Sequence, residues 1–306
     1  MKISIIGAGN VGSLAAMRIA QDRLGQVVLV DIVKGLAQGK SLDMDDARLF
    51  FSADYSIEGT DDIAKIKDSD IVVMTAGLAR KPGMTREDLL AKNAQIVKDT
   101  CLKIKELAPE AILIIVTNPL DIMAYLAFKI TGFKRNKVVG MGLSLDAARF
   151  ANLIAKDLSV SLSEIEPLVI GSHGEGMLPL PRLTTVKGKS LLSVVGKEKA
   201  DEFVKRTIGR GAEIVSHLGN GSAYFAPSAA IADLVKAIVS KDNQLRCACV
   251  YLEGEYGLKD IFLGVPCRLG KNGIEEIIQL ELNDSEKQLF SIAANSLKAQ
   301  YKYVQI

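Results

Sequence analysis

The sequence predicts an α/β fold: a doubly wound parallel sheet in the first half, followed by a mixed α+β second half. Three observations carry that prediction. Up to about residue 140, short apolar runs alternate with amphipathic stretches; the first run leads straight into a glycine-rich turn; and beyond about residue 145 the alternation gives way to a different order. Uninterrupted apolar runs suit strands covered on both faces, as in a parallel sheet flanked by helices. Strands alternating with helices read as successive βαβ units.

The predicted strands of the first half are ISII (3–6), QVVLVD (26–31), DIVVMTA (70–76), AILIIVT (111–117) and KVVGM (137–141). The intervening NVGSLAAMRIAQDRL (10–24) and TREDLLAKNAQIVKDTCLKIKELA (85–108) space their apolar residues three and four apart, the period of a helix face. In the second half a helix (145–157) leads to a strand (166–170) and a Gly/Pro-rich segment (171–188). Two helices (196–218 and 227–240), a hairpin-like strand pair (245–252 and 259–269) and a terminal helix (284–302) follow. The expected division is 1–142 and 143–306, with the helix starting at Ser144 bridging the two halves.

Composition narrows the function classes. A chain of 306 residues fits about two domains of roughly 150 residues and is ample for a substantial core. Hydrophobic residues at 48% and charged residues at 24% describe a globular protein. With 38 basic against 36 acidic residues, no nucleic-acid or other polyanionic partner is implied. Runs such as AILIIV (111–116) are too short to span a bilayer, and KISIIGAG reads as a strand entering a turn, not as a leader peptide. A soluble, cytoplasmic chain is expected. Cys101, Cys247, Cys249 and Cys267 lack metal-ligand spacing, so they read as reduced, partly buried thiols and no metal site is expected. NGS (220–222) and NDS (283–285) are treated as chance matches to the glycosylation pattern.

The most specific local motif is IIGAGNVGS. Gly7, Gly9 and Gly12 form G-x-G-x-x-G between a predicted strand and a predicted helix, so Gly7, Ala8, Gly9, Asn10, Val11 and Gly12 are expected to form a dinucleotide-binding turn. Gly7 permits the tight turn, Gly9 lets a pyrophosphate approach the backbone, and Gly12 lets the helix close on the strand. The helix start offers free N–H groups and the positive end of its dipole. Nineteen residues past Gly12, QVVLVD ends in Asp31, where a carboxylate accepts ribose hydroxyls and repels a 2′-phosphate. NAD is therefore the expected cofactor, and nearby Lys34 alone does not overturn that preference.

Only two histidines occur. His173 sits in IGSHGEGMLPL among small residues that leave room for close approach, while His217, in EIVSHLGNG, reads as a capping or packing histidine. Taken alone, His173 also reads as a loop cap, and Arg80, Arg86 and Arg149 as surface charges. The constellation argues otherwise. Arg80 and Arg86 lie in TAGLARKPGMTREDLL after a strand, on the ligand-binding side of an open α/β sheet. Asp146 and Arg149 are three apart on a predicted helix and share one face. Asn118, in VTNPLD, ends another strand at the same edge, where an N-cap role is the plainer alternative.

These segments, with GAGNVG, VLVDI, LDAARF, GSHGEGMLPL and GNGSAYFAP in order along nearly the whole chain, resemble the lactate/malate dehydrogenase superfamily, on its lactate-dehydrogenase-like malate branch. The resemblance implies a Rossmann-type NAD domain followed by an α+β substrate domain, and hydride transfer between a 2-hydroxy acid and nicotinamide. It implies that His173 is the proton acceptor, with Asp146 as its carboxylate partner. Arg149 would grip the substrate carboxylate, and Arg86 would polarise the reacting C–O bond. Arg80 would hold the distal carboxylate of a dicarboxylic acid. Asn118 would contact substrate and cofactor, while Asn93, Val116 and Thr117 would line the nicotinamide side. Residues 77–85 would form a mobile lid, and GLAQGKSLDMDDARLFF (35–51) matches a helix used in dimer contacts. A homodimer or homotetramer of the tricarboxylic acid cycle is implied, with a small dicarboxylic 2-hydroxy or 2-oxo acid as substrate. Two departures stand out: the usual GGHGD reads GSHGE, with Ser172 and Glu175, and LDSARF reads LDAARF after a GMGLS turn. The alternatives are a lactate or other 2-hydroxy-acid dehydrogenase and a non-catalytic nucleotide sensor; a sensor has no need of a base.

Overall fold

The structure is a computed structural model that describes residues 1–51, 54–78, 85–219 and 221–304, and of Arg86 the backbone alone. The first half runs β1 (Lys2–Ile6), α1 (Asn10–Gln21), β2 (Gln26–Val30), α2 (Leu36–Asp46), α3 (Arg48–Phe51), β3 (Ile57–Thr60), β4 (Ile71–Met74), α4 (Arg86–Leu107), β5 (Ile112–Ile115), α5 (Leu120–Thr131) and β6 (Val138–Gly140). The second half opens with α6 (Gly142–Leu158), followed by β7 (Ile165–Glu166), β8 (Val169–Gly171), β9 (Met177–Pro179), β10 (Thr185–Val186) and β11 (Lys189–Ser190). It ends with α7 (Leu191–Leu218), α8 (Phe225–Ser240), β12 (Leu245–Glu253), β13 (Lys259–Gly270), β14 (Gly273–Ile277) and α9 (Asp284–Gln300).

β3-β2-β1-β4-β5-β6 form a parallel sheet in the doubly wound order. The apolar runs become its strands because both faces are covered: Ile3, Ile5, Leu29, Ile71, Val72, Val73, Met74, Leu113, Ile114 and Ile115 are all buried. The sheet continues into the second half. β12 pairs antiparallel with β6 at Cys249 and Gly140, β13 joins β12, and β8 and β9 extend the edge beyond β13. One apolar cluster spans both halves, and a second gathers Phe150, Ile154, Phe203 and Leu191 between α6 and α7.

Five strands escaped the sequence reading: β3, β14, and the short β9, β10 and β11, which fall in or just after the segment read as Gly/Pro-rich. β3 (IEGT) has a single aliphatic residue, and its Gly59 exists because α2 crosses it: a Cβ there would meet the Ala37 carbonyl oxygen at 2.1 Å. β14 (GIEEI) pairs along the end of β13, and its adjacent Glu275 and Glu276 break the alternation that would have marked a strand. Within α7, Gly196 adopts φ 75°, so the helix expected to begin at 196 is preceded by a turn from Leu191 that changes direction there. All four cysteines are free and fully buried, not partly so. Asn283 caps α9, accepting the Glu286 N–H at 2.9 Å. Among the described residues no helix is long and apolar enough to cross a membrane, and no group of His, Cys, Asp and Glu is arranged to hold a metal.

Candidate active site at the sheet edge

The carboxyl ends of β1, β2, β4 and β5 deliver the glycine turn, Asp31, Thr75 and the segment Val116–Asn118 to one edge of the sheet. In the turn, Gly7 has φ +108°, a conformation that L side chains rarely adopt. A Cβ on Gly12 would lie 1.9 Å from the Gly7 carbonyl oxygen, so α1 sits against the turn only because that residue is glycine. Gly9, by contrast, has nothing within 4 Å of its missing Cβ, and Gly9 and Asn10 are exposed. Val11 lies half-buried behind them.

Asp31 is tied into this turn: Oδ2 accepts the Ala8 N–H at 2.7 Å and Oδ1 accepts the Val33 N–H at 2.9 Å. Each oxygen keeps a lone pair for a ribose hydroxyl. Lys40, which the sequence reading missed, donates from Nζ to the Ala8 carbonyl at 2.7 Å and to Ser13 Oγ at 3.3 Å. It sets a positive charge behind the turn, and its separation of 32 residues from Ala8 left no local signal. A bare glycine turn open to solvent, a helix N-terminus, a carboxylate and a lysine fit a dinucleotide's pyrophosphate and ribose.

Farther along the edge, Thr117 Oγ1 donates to the Ala76 carbonyl at 2.7 Å, and the Val116 N–H donates to Met74. Asn93 is buried, with its amide fully engaged: Oδ1 accepts the Leu78 N–H, and Nδ2 donates to the Leu78 and Asn118 carbonyls. It braces the loop on which Asn118 stands. Asn118 itself is exposed, and the N-cap of α5 is Pro119, so the capping alternative does not hold. Arg80 and most of the expected lid (79–84) lie outside the described residues, as does the side chain of Arg86.

The second cluster is built where α6 meets the β8–β9 turn. That turn closes with the Ser172 N–H donating to Gly176 and the Met177 N–H to Gly174, and Gly171 and Gly174 both have positive φ. His173, at its tip, bonds through Nδ1 to Asp146 Oδ2 at 2.6 Å. A carboxylate accepts, so Nδ1 donates and Nε2 keeps its lone pair. Asp146 has no exposure; its other oxygen, Oδ1, accepts from Arg149 Nη1 at 3.1 Å. The three-residue spacing on α6 thus serves one carboxylate with two partners. Gly142 makes the approach possible: a Cβ there would lie 2.6 Å from the imidazole. Ser172 has its Oγ 2.1 Å from where a Cβ on Gly176 would stand, so the two departures from GGHGD are not equivalent: Ser172 is held inside the turn, whereas Glu175 is exposed.

Burial pulls the imidazole of His173 toward its neutral form, but the charge and hydrogen bond of Asp146, reinforced by Asp121, outweigh burial and the opposing Arg149. The result is a histidine held above its ordinary pKa. Asp121, not singled out in the sequence, accepts the His173 backbone N–H on Oδ2 at 2.9 Å. Its only signal was the acid in the VTNPLD segment that opens α5. His217 is exposed in the last turn of α7, so it fills no packing role; its place suits the negative end of the helix dipole.

Comparison with known proteins fits this geometry. The family model described as lactate/malate dehydrogenase, NAD binding domain, matches residues 1–140, and the lactate/malate dehydrogenase, alpha/beta C-terminal domain, matches 144–305. A malate dehydrogenase of Methanosarcina mazei is 48% identical over 298 residues, 97% of each chain. Among solved structures, the malate dehydrogenase of Salinibacter ruber aligns with a TM-score of 0.95 at 40% identity, covering 100% of this chain and 98% of that one. The lactate dehydrogenase of Cryptosporidium parvum, solved with lactic acid and nicotinamide adenine dinucleotide, reaches 0.95 at 36% identity over 99% and 97%. From the glycine turn to the His173 loop, this chain belongs to the lactate/malate dehydrogenase family, the NAD-dependent oxidoreductases whose two domains it carries in order.

Proposed function

We propose that this chain catalyses reversible hydride transfer between (S)-malate and NAD, giving oxaloacetate and NADH, with His173 as the base. The observation that carries the proposal is the His173–Asp146–Arg149 chain of contacts, at 2.6 and 3.1 Å around one fully buried carboxylate. Imidazole, with an ordinary pKa of about 6.5, exchanges a proton near neutral pH in either direction. Asp146 fixes the ring with Nε2 toward the substrate hydroxyl and favours the imidazolium formed when the proton arrives. Arg149 has a buried Nε with no hydrogen-bond partner, an unmet donor that a substrate carboxylate satisfies. Bound along the Gly7–Gly12 turn and Asp31, NAD supplies the hydride acceptor. Asn118, exposed at the end of the β5 segment, is positioned by Asn93 to meet substrate. Arg80 and Arg86 take the distal carboxylate and the reacting C–O group in this reading.

The malate assignment draws on the relatives named malate dehydrogenase at 46–49% identity over nearly the whole chain. The fold itself does not separate malate from lactate, since a lactate dehydrogenase matches it equally well. We further assign the chain to the cytoplasm and the tricarboxylic acid cycle as a homo-oligomer. Leu42, Leu49, Phe50 and Phe51 on α2–α3 support assembly: all four are exposed, Leu49 and Phe50 to 82% and 84%, and grouped exposed apolar side chains of this kind mark a protein interface.

Replacing His173 with Asn is expected to lower turnover by roughly two to four orders of magnitude while NADH binding, followed by fluorescence titration, stays near wild type. His217→Asn serves as the control and should leave turnover unchanged; near-normal turnover of the His173 variant removes the base from the mechanism.

Asp31→Ser removes the acceptor at the turn and a charge that repels a 2′-phosphate. Kd ratios for NADH and NADPH should move toward NADPH, and an unchanged ratio places Asp31 away from the ribose.

Arg80→Gln tests substrate choice. An enclosed guanidinium left without a partner penalises pyruvate as much as it attracts oxaloacetate, so the oxaloacetate-to-pyruvate ratio of kcat/KM should fall by about two to four orders of magnitude. Arg86→Gln should damage both substrates alike, and a ratio untouched by Arg80→Gln contradicts the malate assignment.

A further inference from the structure

A second carboxylate lies beside His173 that the reaction as described does not use. Asp121 stands in the first turn of α5 and is 4% exposed. Its Oδ2 accepts the His173 main-chain N–H at 2.9 Å, across 52 residues of sequence. Its Oδ1 is buried and without an oxygen or nitrogen partner, and the thiol of Cys249 on β12 faces the carboxylate. A buried acid with one half-satisfied oxygen is costly to keep, and hydrophobic or amide side chains fill such a place at less cost.

We propose that Asp121 is a positioning residue for the reaction, which anchors the His173 main chain and, through its negative charge, biases the imidazole toward holding a proton. This rests on the reading of His173 as the base. The anchoring half follows from the turn geometry. His173 sits between two glycines of positive φ, Gly171 and Gly174, and the bonds that close its turn are made by the Ser172 and Met177 N–H groups, so the acceptor for the His173 N–H comes from another element. The charge half follows from the cluster's balance. Around the imidazole are Asp146 and Arg149 on α6 and Asp121 on α5; around Asp121 are Cys249 on β12, Asp146, and Tyr301 after α9; and Cys247 on β12 lies near Asp146. Arg149 balances one carboxylate. The other is balanced only when His173 is protonated, the form that gives a proton to oxaloacetate.

The titration behaviour agrees with this. Burial, the largest influence, pushes the Asp121 carboxyl up to about 6, although Cys249 and the charge of His173 pull the other way. In its ionised form Asp121 contributes to holding His173 above its ordinary range. Removing that charge lowers the histidine's pKa. Oxaloacetate reduction needs protonated His173, so its activity is then lost at lower pH. Malate oxidation needs neutral His173, so its rising limb also moves to lower pH.

The test is Asp121→Asn, which keeps an acceptor for the His173 N–H and deletes the charge. Log kcat/KM against pH, in both directions, should shift its limb downward by roughly half to one pH unit, equivalent to about three- to tenfold at a fixed pH on the slope. Asp121→Leu, which also deletes the acceptor, should lower kcat beyond that, and Asn should rescue this extra loss. Should Asp121→Asn fail to fold, Cys249→Ala provides a second route: without the thiol the ionised carboxylate is less favoured, and the limb moves the same way by a smaller amount. Wild-type limbs in the folded variants, while His173→Asn stays inactive, overturn the proposal and leave the base in place. An active His173→Asn instead overturns the reading beneath it.

Discussion

A carboxylate with no access to water must find partners for both of its oxygens inside the protein, and Asp146 finds them in His173 and Arg149. Most of the second half is arranged so that this contact exists. α6 presents Asp146 and Arg149 on one face, the β8–β9 turn brings His173 across to it, and Gly142 removes the one atom that would keep them apart. Ser144 fastens the start of α6 to the sheet, its hydroxyl donating to the Cys247 carbonyl at 2.7 Å. The same carboxylate orients an imidazole and a guanidinium, so the proposed proton acceptor and the proposed carboxylate grip are set at a fixed relation to each other.

The sheet supplies the other constraint. Because β12 pairs with β6, the parallel strands that present the glycine turn and the antiparallel strands that carry the His173 loop belong to one continuous surface. In the proposed reading, a dinucleotide on the first half and a substrate on the second meet across this one surface and not across a flexible linker. Close approaches permit this continuity: β13 passes α6 where a Cβ on Gly264 would lie 2.2 Å from Leu143, and α1 closes on β1 at Gly12. These positions tolerate no side chain.

Much of this was legible in the sequence, for physical reasons. Strands buried on both faces must be continuously apolar, so ISII, QVVLV and AILII announced themselves; β3 did not, because the crossing of α2 demands a glycine where an aliphatic residue would have marked it. In the site, G-x-G-x-x-G and the Asp146–Arg149 spacing are local patterns and were readable. Asp121 and Lys40 act on backbone atoms 52 and 32 residues away, a relation no local pattern records. Asn93 was expected at the nicotinamide side, yet its amide is wholly engaged with Leu78 and Asn118, which is a question of register between a helix and two loops. The arginines of 79–86 depend on a segment beyond the described side chains, so resemblance alone speaks for them.

The central claim is that Asp146 holds the neutral imidazole with its proton on Nδ1 and its lone pair on Nε2. Nitrogen-15 NMR of the His217→Gln protein, which leaves His173 as the single imidazole, measures that tautomer directly. The account predicts a protonated Nδ1 and an unprotonated Nε2 above the histidine's pKa, a state lost in Asp146→Ala. A proton on Nε2 in the intact protein would contradict it, because that nitrogen would then have no lone pair with which to take the hydroxyl proton.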